Sequence, residues 1–162
     1  MRVETRKNPT ERRSARRTAD SGRTEYLAFV LAGETYAIEV AHVAEILKPT
    51  PVTEVPRAPG NVLGIIGVRG KLVTVVDLRR RFRLVERPMD RRSRIILTDV
   101  GAGEQVGLLV DEVQQVWRLS TEEIEPAHVL GAEQPAHIAG IGRPIDGVIL
   151  ILLDARPIVE SP

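Results

Sequence analysis

Two stretches of this chain, offset by seventy residues, follow the same order of apolar runs and turns, so its fold must accommodate a duplicated unit. In the first copy, residues 26–31 and 35–40 are apolar, β-branched runs on either side of Ala32-Gly33-Glu34, the pattern of a hairpin. In the second copy, residues 94–100 and 105–110 flank Ala102-Gly103-Glu104 in the same way. Aligning the turns places Val40 on Val110, Val43 on Val113 and Ile46 on Val116. Val40, Val43, Ile46 and Leu47 recur at helical spacing and predict a short amphipathic helix, ended by Pro49 and Pro51. Their counterparts in residues 111–119 suit a helix or a bent strand, and Val116, Trp117 and their β-branched neighbours favour the strand.

Each copy then continues alike. A proline-rich link over residues 49–60 leads to a second hairpin, 63–68 and 71–76, around Arg69-Gly70. Asp77 follows as the cap of a short helix over 78–82. Gly-Ile-Gly-Arg at 140–143 and ILILLDAR at 149–156 repeat that design, with Asp154 seventy-seven residues beyond Asp77 and a longer turn between the strands. The charged stretch 83–92 reads as a linker. Short strands at this spacing predict a mainly β fold, a pair of small barrels over residues 24–160, with lobe one at about 24–92 and lobe two at about 93–160.

Charge sets the beginning apart. Residues 1–23 carry eight Arg or Lys and three Asp or Glu, a net +5, whereas the remainder carries 15 basic and 19 acidic residues, a net −4. With almost no large apolar side chain, this leader cannot offset the entropy of ordering and is expected to be a disordered tail. Docking to anionic membrane or nucleic acid is its functional alternative. No apolar run approaches the roughly 18 residues of a spanning helix, and no apolar core of a signal peptide follows the charged start, so a soluble, cytoplasmic protein is expected.

The residues of catalysis are poorly represented. Cysteine is absent, which excludes disulfides, thiolate nucleophiles and cysteine-held metals. His42, His128 and His137 lack partners at metal-ligand spacing. No serine lies in a nucleophile elbow, and the glycines at 140–142 lack the third glycine of a dinucleotide fingerprint. The duplicated Asp77 and Asp154 invite comparison with a paired-carboxylate site. Each is followed by Leu-Arg or Ala-Arg at a strand-to-helix junction, where capping explains it. Five aromatic residues and a mildly acidic folded part also argue against a base-stacking surface. What remains is surface chemistry, and exposed strand edges of small barrels can take a partner's strand.

The blocks EYLAFVLAGETYAIEVAHVAEIL, GIIGVRGKLVTVVDLRRRF, VGLLVDEVQQVWRLSTEEIEP and IAGIGR with ILILLDARPIV, in this order across residues 25–159, resemble the CheW family, the adaptors of bacterial chemosensory arrays. The resemblance implies two SH3-like five-stranded β-barrel lobes on a shared core. It implies a non-catalytic role without metal or cofactor: coupling chemoreceptor tips to the histidine kinase CheA, in arrays at the inner membrane. The regulatory domain of that kinase is itself similar to the adaptor, so other CheW-like domains are further expected partners. Carried onto this chain, the kinase contact falls on Val43, Glu45, Ile46 and Gly64, and the receptor contact on Arg69, Val113 and Val116, the last two beside a groove between the lobes. The family's Asn-Leu-Arg-Gly turn is Gly67-Val68-Arg69-Gly70 here, and Thr74 stands where proline is common. Those departures leave a second expectation, a regulator that sequesters one partner, and the leader a third, a variant recruited to membrane or nucleoid.

Overall fold

The computed structural model describes residues 22–127 and 136–160. Nearly all of the basic leader, and His128, fall outside that range. In the first repeat, β1 (Arg23–Leu31) and β2 (Glu34–Glu39) form a hairpin, β3 (Val43–Leu47) follows, and β4 (Val62–Val68) pairs with β5 (Lys71–Asp77) before helix α1 (Leu78–Arg81). In the second, β6 (Arg94–Gly101) and β7 (Glu104–Val110) precede β8 (Glu112–Ser120), the short β9 (Ile124–Pro126), β10 (Ile138–Gly142), β11 (Leu150–Leu153) and α2 (Ala155–Glu160).

One expected element differs. The amphipathic helix predicted around Val43, Ile46 and Leu47 is a single 3-10 turn, Val40–His42, followed by strand β3. Exposure alternates along β3 with period two, and its backbone pairs with β6. Eight residues ahead of a proline are too few to stabilise an isolated helix, and a helix here would leave the edge of β6 unpaired. Its counterpart β8 is a strand, as its β-branched residues predict.

The repeats exchange hairpins. One sheet runs β3-β6-β7-β5-β4 and the other β8-β1-β2-β11-β10-β9. Each takes its first hairpin from one repeat and its other strands from the other. The sequence halves at about 24–92 and 93–160 are therefore repeats, and the boundary near residue 92 does not separate the sheets. Register repeats as well. In the parallel pairs, Tyr36 and Ile38 face Ile151 and Leu153, while Val106 and Leu108 face Thr74 and Val76. A bulge near Val100 in β6 shortens the offset to 69 beyond it, so Leu27 faces Val116 as Ile96 faces Ile46. The six-stranded sheet exceeds the expected five by β9; in the other sheet Thr53 occupies the same place with one bridge to Ile65.

Three cores follow from this exchange. Leu27, Phe29 and Ile38 of one sheet meet Ile96, Val106 and Leu108 of the other in a shared core. Alternate residues turn inwards to a private core in each sheet: Tyr26, Ala28 and Leu152 in one, Ile95, Leu97 and Val75 in the other. The private cores gather residues from both edges of their sheet, Trp117 with Ile124 and Leu47 with Val68, so each sheet curls on itself. Strands buried on both faces read as unbroken apolar runs rather than alternating ones. Each such aliphatic side chain contributes roughly 1.5–3 kcal/mol on burial. A stacked column, Phe29–Tyr36–Phe82–His137, with centroids 6.0, 5.6 and 4.5 Å apart, ties α1's end to the six-stranded sheet. Burial, then Arg81, lowers the His137 pKa and favours the neutral ring in that stack.

Both repeated aspartates are caps. Asp77 Oδ1 accepts the Arg79 amide hydrogen (2.9 Å) and Asp154 Oδ1 that of Arg156 (3.1 Å). Beside the Asp77 cap alone, a latch joins the two repeats. The Arg79 guanidinium donates to both Asp111 oxygens (Nε to Oδ1 2.7 Å, Nη2 to Oδ2 2.6 Å) and to the Val85 carbonyl (2.7 Å), while Asp111 Oδ2 accepts the Ala32 amide hydrogen (2.8 Å). This buried pair fastens α1 and the β7–β8 junction to the β1–β2 turn. Burial opposes the Asp111 charge, but Arg79 and the Ala32 amide outweigh it and hold the carboxyl below its ordinary range. At the equivalent positions stand Ala41 and an exposed Arg156.

Gly64 in β4 is fixed by close approach. A Cβ there would collide with the Thr53 carbonyl oxygen and stand 2.7 Å from Val52 Cγ1, at a φ of +155°. Its counterpart Gly140 meets the Glu125 carbonyl in the same way, at 2.6 Å. Gly64→Ala is expected to cost about 3 kcal/mol, roughly 10 °C in Tm, whereas Gly67→Ala, with open space around it, stays within about 0.5 kcal/mol. Calorimetry of the two variants checks this.

Asp111→Ala, which strands a buried guanidinium, is expected to cost about 3–5 kcal/mol at pH 7. Because the folded pKa lies below the unfolded value of about 3.9, the latch is at full strength above that value and is lost as pH falls through the folded pKa. Asp111→Asn should therefore flatten the acid limb of stability, measured as the urea midpoint from pH 7 to pH 2.5. An unchanged acid limb would place the acid sensitivity elsewhere.

Candidate partner-docking surfaces

Glu45 and Arg69 meet in one patch on the five-stranded sheet, and Ile46 lies next to Glu45 on the opposite face of the same strand. Glu45 and Ile46 lie on the edge strand β3, and Arg69 lies at the tip of the β4–β5 hairpin. The tip is a two-residue turn in which Arg69 (φ 50°) and Gly70 (φ 80°) are both left-handed, the geometry that matches the twist of paired strands. This backbone aims the exposed Arg69 side chain across to β3, where Nη2 donates to Glu45 Oε1 at 3.0 Å. An exposed pair of this kind adds only about 0.2–1 kcal/mol, so its effect is to set the direction of two charges. Ile46 beside Glu45 is 41% exposed. Val43 is half-buried and packs against the shared core. Gly64 is buried under Thr53, so it shapes the link over β4 and offers no side chain to a partner.

Val113 and Val116 lie on β8, the outer strand of the six-stranded sheet. Val113 packs on the shared core and borders a depression of about 480 Å³ at the junction of the sheets, with Arg91, Arg92, Arg94 and Glu112. Val116 is 48% exposed. The ion pair of Arg69 is with Glu45, so one residue from each expected partner set shares a single patch.

Among the exposed apolar residues not singled out from the sequence, two are equivalent in the repeats. Leu72 is 77% exposed two residues beyond the turn, and Ile149, seventy-seven residues later, is 57% exposed. The strand repeat carries the signal: Ile46 and Leu72 in one sheet correspond to Val116 and Ile149 in the other. Exposed apolar positions that recur through a duplication are surface features of the repeated unit. Paired carboxylate chemistry does not arise from Asp77 and Asp154, since Asp77 is buried under its helix and Asp154 is exposed on another. Burial raises the Asp77 pKa, and the Arg79 amide and Arg80 oppose that rise.

Known proteins share this arrangement. The family model of the CheW-like domain matches residues 25–162. The chemotaxis protein CheW of Klebsiella aerogenes is 30% identical over 138 residues, covering 85% of this chain and 82% of that protein. CheW of Rhizobium meliloti is 29% identical over 148 residues, covering 91% and 94%. Among solved structures, the scaffolding protein TtCheW from Thermoanaerobacter tengcongensis superposes with a TM-score of 0.77 at 31% identity, covering 85% of this chain and 93% of that one. With the family match spanning both sheets and the exchanged hairpins between them, the chain belongs to the CheW-like family.

Proposed function

We propose that this chain is a non-catalytic chemotaxis adaptor that joins chemoreceptor tips to a CheA-type histidine kinase, at the receptor assemblies of the inner membrane. The observation that supports it most is the presence of two partner-ready surfaces on edge strands of different sheets, held by one shared core. The β3 strand, with Ile46 exposed, Glu45 half-buried and Val43 anchored in the shared core, suits the kinase's regulatory domain. The groove at Val113, with Val116 outside it, suits a receptor helix.

The Arg69–Glu45 pair favours a second reading. Because a residue of each set meets in one patch, partners that both need it would compete, and the chain would then sequester one of them. Two binding measurements separate the readings. Ile46→Asp is expected to weaken binding of a purified CheA regulatory domain at least tenfold and to leave a receptor-tip fragment unaffected; Val116→Asp is expected to do the reverse. Affinities in the tens of micromolar, about −6 kcal/mol, are sufficient for an adaptor. Failure of both partners to bind the parent protein rules out coupling, and loss of both partners in each single variant supports sequestration.

A further inference from the structure

Residues 79–94 carry eight arginines and two carboxylates, a net charge of +6 within a folded part that is otherwise acidic. Most of these arginines are engaged. Arg79 holds Asp111, Arg80 lies between Asp77 and Glu86, Arg81 donates to the Pro157 and Ile158 carbonyls, and Arg94 donates to those of Arg91 and Ser93. Arg83, Arg91 and Arg92 are exposed and without an ion-pair partner among the described residues, and of these Arg91 and Arg92 stand together beside the Val113 depression.

Their backbone is nevertheless fixed. Asp90 Oδ1 accepts the amide hydrogens of Arg92 (2.8 Å) and Ser93 (3.1 Å), the Ser93 Oγ accepts that of Asp90 (2.9 Å), and Ser93 is buried. Two unpaired guanidinium groups thus project from a set turn into the depression at the sheet junction, opposite Glu112 and the apolar Val113. The same pair lines an adjoining depression of about 530 Å³ that reaches the Ala32-Gly33 turn.

We propose that this arginine wall selects an acidic protein segment, a helix that presents carboxylates beside the apolar residue that meets Val113. The inference rests on the reading of the Val113 groove as the receptor-facing surface and deepens it by naming the charge its partner carries. A polypeptide fits better than other polyanions. Glu112, Asp90 and Asp111 stand among the arginines, and this mixed pattern repels a uniformly anionic backbone while accepting spaced carboxylates. No aromatic side chain lines either depression, so bases have nothing to stack on. A bilayer surface does not enter a concave site.

The test uses the full chain and two synthetic helical peptides with the same leucine–alanine face, one with glutamate and one with glutamine on its polar face. Vesicles containing phosphatidylglycerol and a single-stranded DNA oligomer serve as the other anions. The glutamate peptide is expected to bind about tenfold more tightly than its glutamine twin at low salt, and the advantage should vanish at high salt. Arg91→Glu/Arg92→Glu should remove it, while Arg57→Glu/Arg156→Glu, the same change in net charge at other exposed arginines, should keep it. Equal binding of the twins, indifference to the Arg91/Arg92 reversal, or preference for vesicles or DNA would overturn the proposal. A parent protein that binds the glutamate peptide but no receptor tip would sustain the arginine wall and remove the receptor reading. A tip fragment that binds the reversed variant as well as the parent would remove the wall and leave the adaptor standing.

Discussion

The rest of the structure depends on strands that bury both of their faces. Leu27 and Phe29 of β1 point into the core between the sheets, while Tyr26 and Ala28 point into the core of their own sheet. β6, β7 and β11 divide their side chains in the same manner. A hairpin with two apolar faces cannot be solvated on either, so it must be covered by strands from both repeats. Exchange of the hairpins satisfies that requirement twice over, and it makes neither sheet complete without residues from both halves of the chain. Stability and cooperativity therefore belong to the pair of sheets together.

The candidate docking surfaces are consequences of the same arrangement. Once central strands are largely consumed by cores, edge strands, hairpins and links face solvent, and β3, β8 and the β4–β5 turn each present an exposed apolar or charged side chain. The duplication gives each sheet an equivalent edge, Ile46 on one and Val116 on the other. The sequence has since individualised them. Asp111 of the second repeat pairs with Arg79 of the first, whereas the equivalent positions hold Ala41 and an exposed Arg156, and arginines 91 and 92 border the Val113 groove. An adaptor requires such asymmetry, because two identical faces would recruit the same partner twice.

Much of the fold was legible in the sequence because turn chemistry and apolar runs are local. Ala32-Gly33 and Ala102-Gly103 fixed the repeat, and the Asp77 and Asp154 caps followed from their place after an apolar strand. The exchange of hairpins was not legible, since an apolar run reports how deeply a strand is buried and not which repeat covers it. The helix expected at Val43–Leu47 arose from the same limit: apolar spacing over eight residues also describes a bulged strand, and the neighbouring β6 edge decided between them. The strand reading of residues 111–119, carried onto their counterparts in the first repeat, gives the observed β3. Of the residues the resemblance names, Ile46, Arg69 and Val116 are exposed and Glu45 is half-buried. It could not show that Gly64 acts through a backbone contact, or that Arg69 turns towards Glu45. The unpaired state of Arg91 and Arg92 depends on distances between segments far apart in the chain.

The proposed adaptor is one folded unit that holds two partners at once on separate sheets. Sedimentation velocity of the purified chain, mixed with a CheA regulatory domain and a receptor-tip fragment at saturating concentrations, tests this most directly. A single faster boundary containing all three components is predicted. Two boundaries, each containing this chain with only one partner and exchanging as the partner ratio changes, would contradict it.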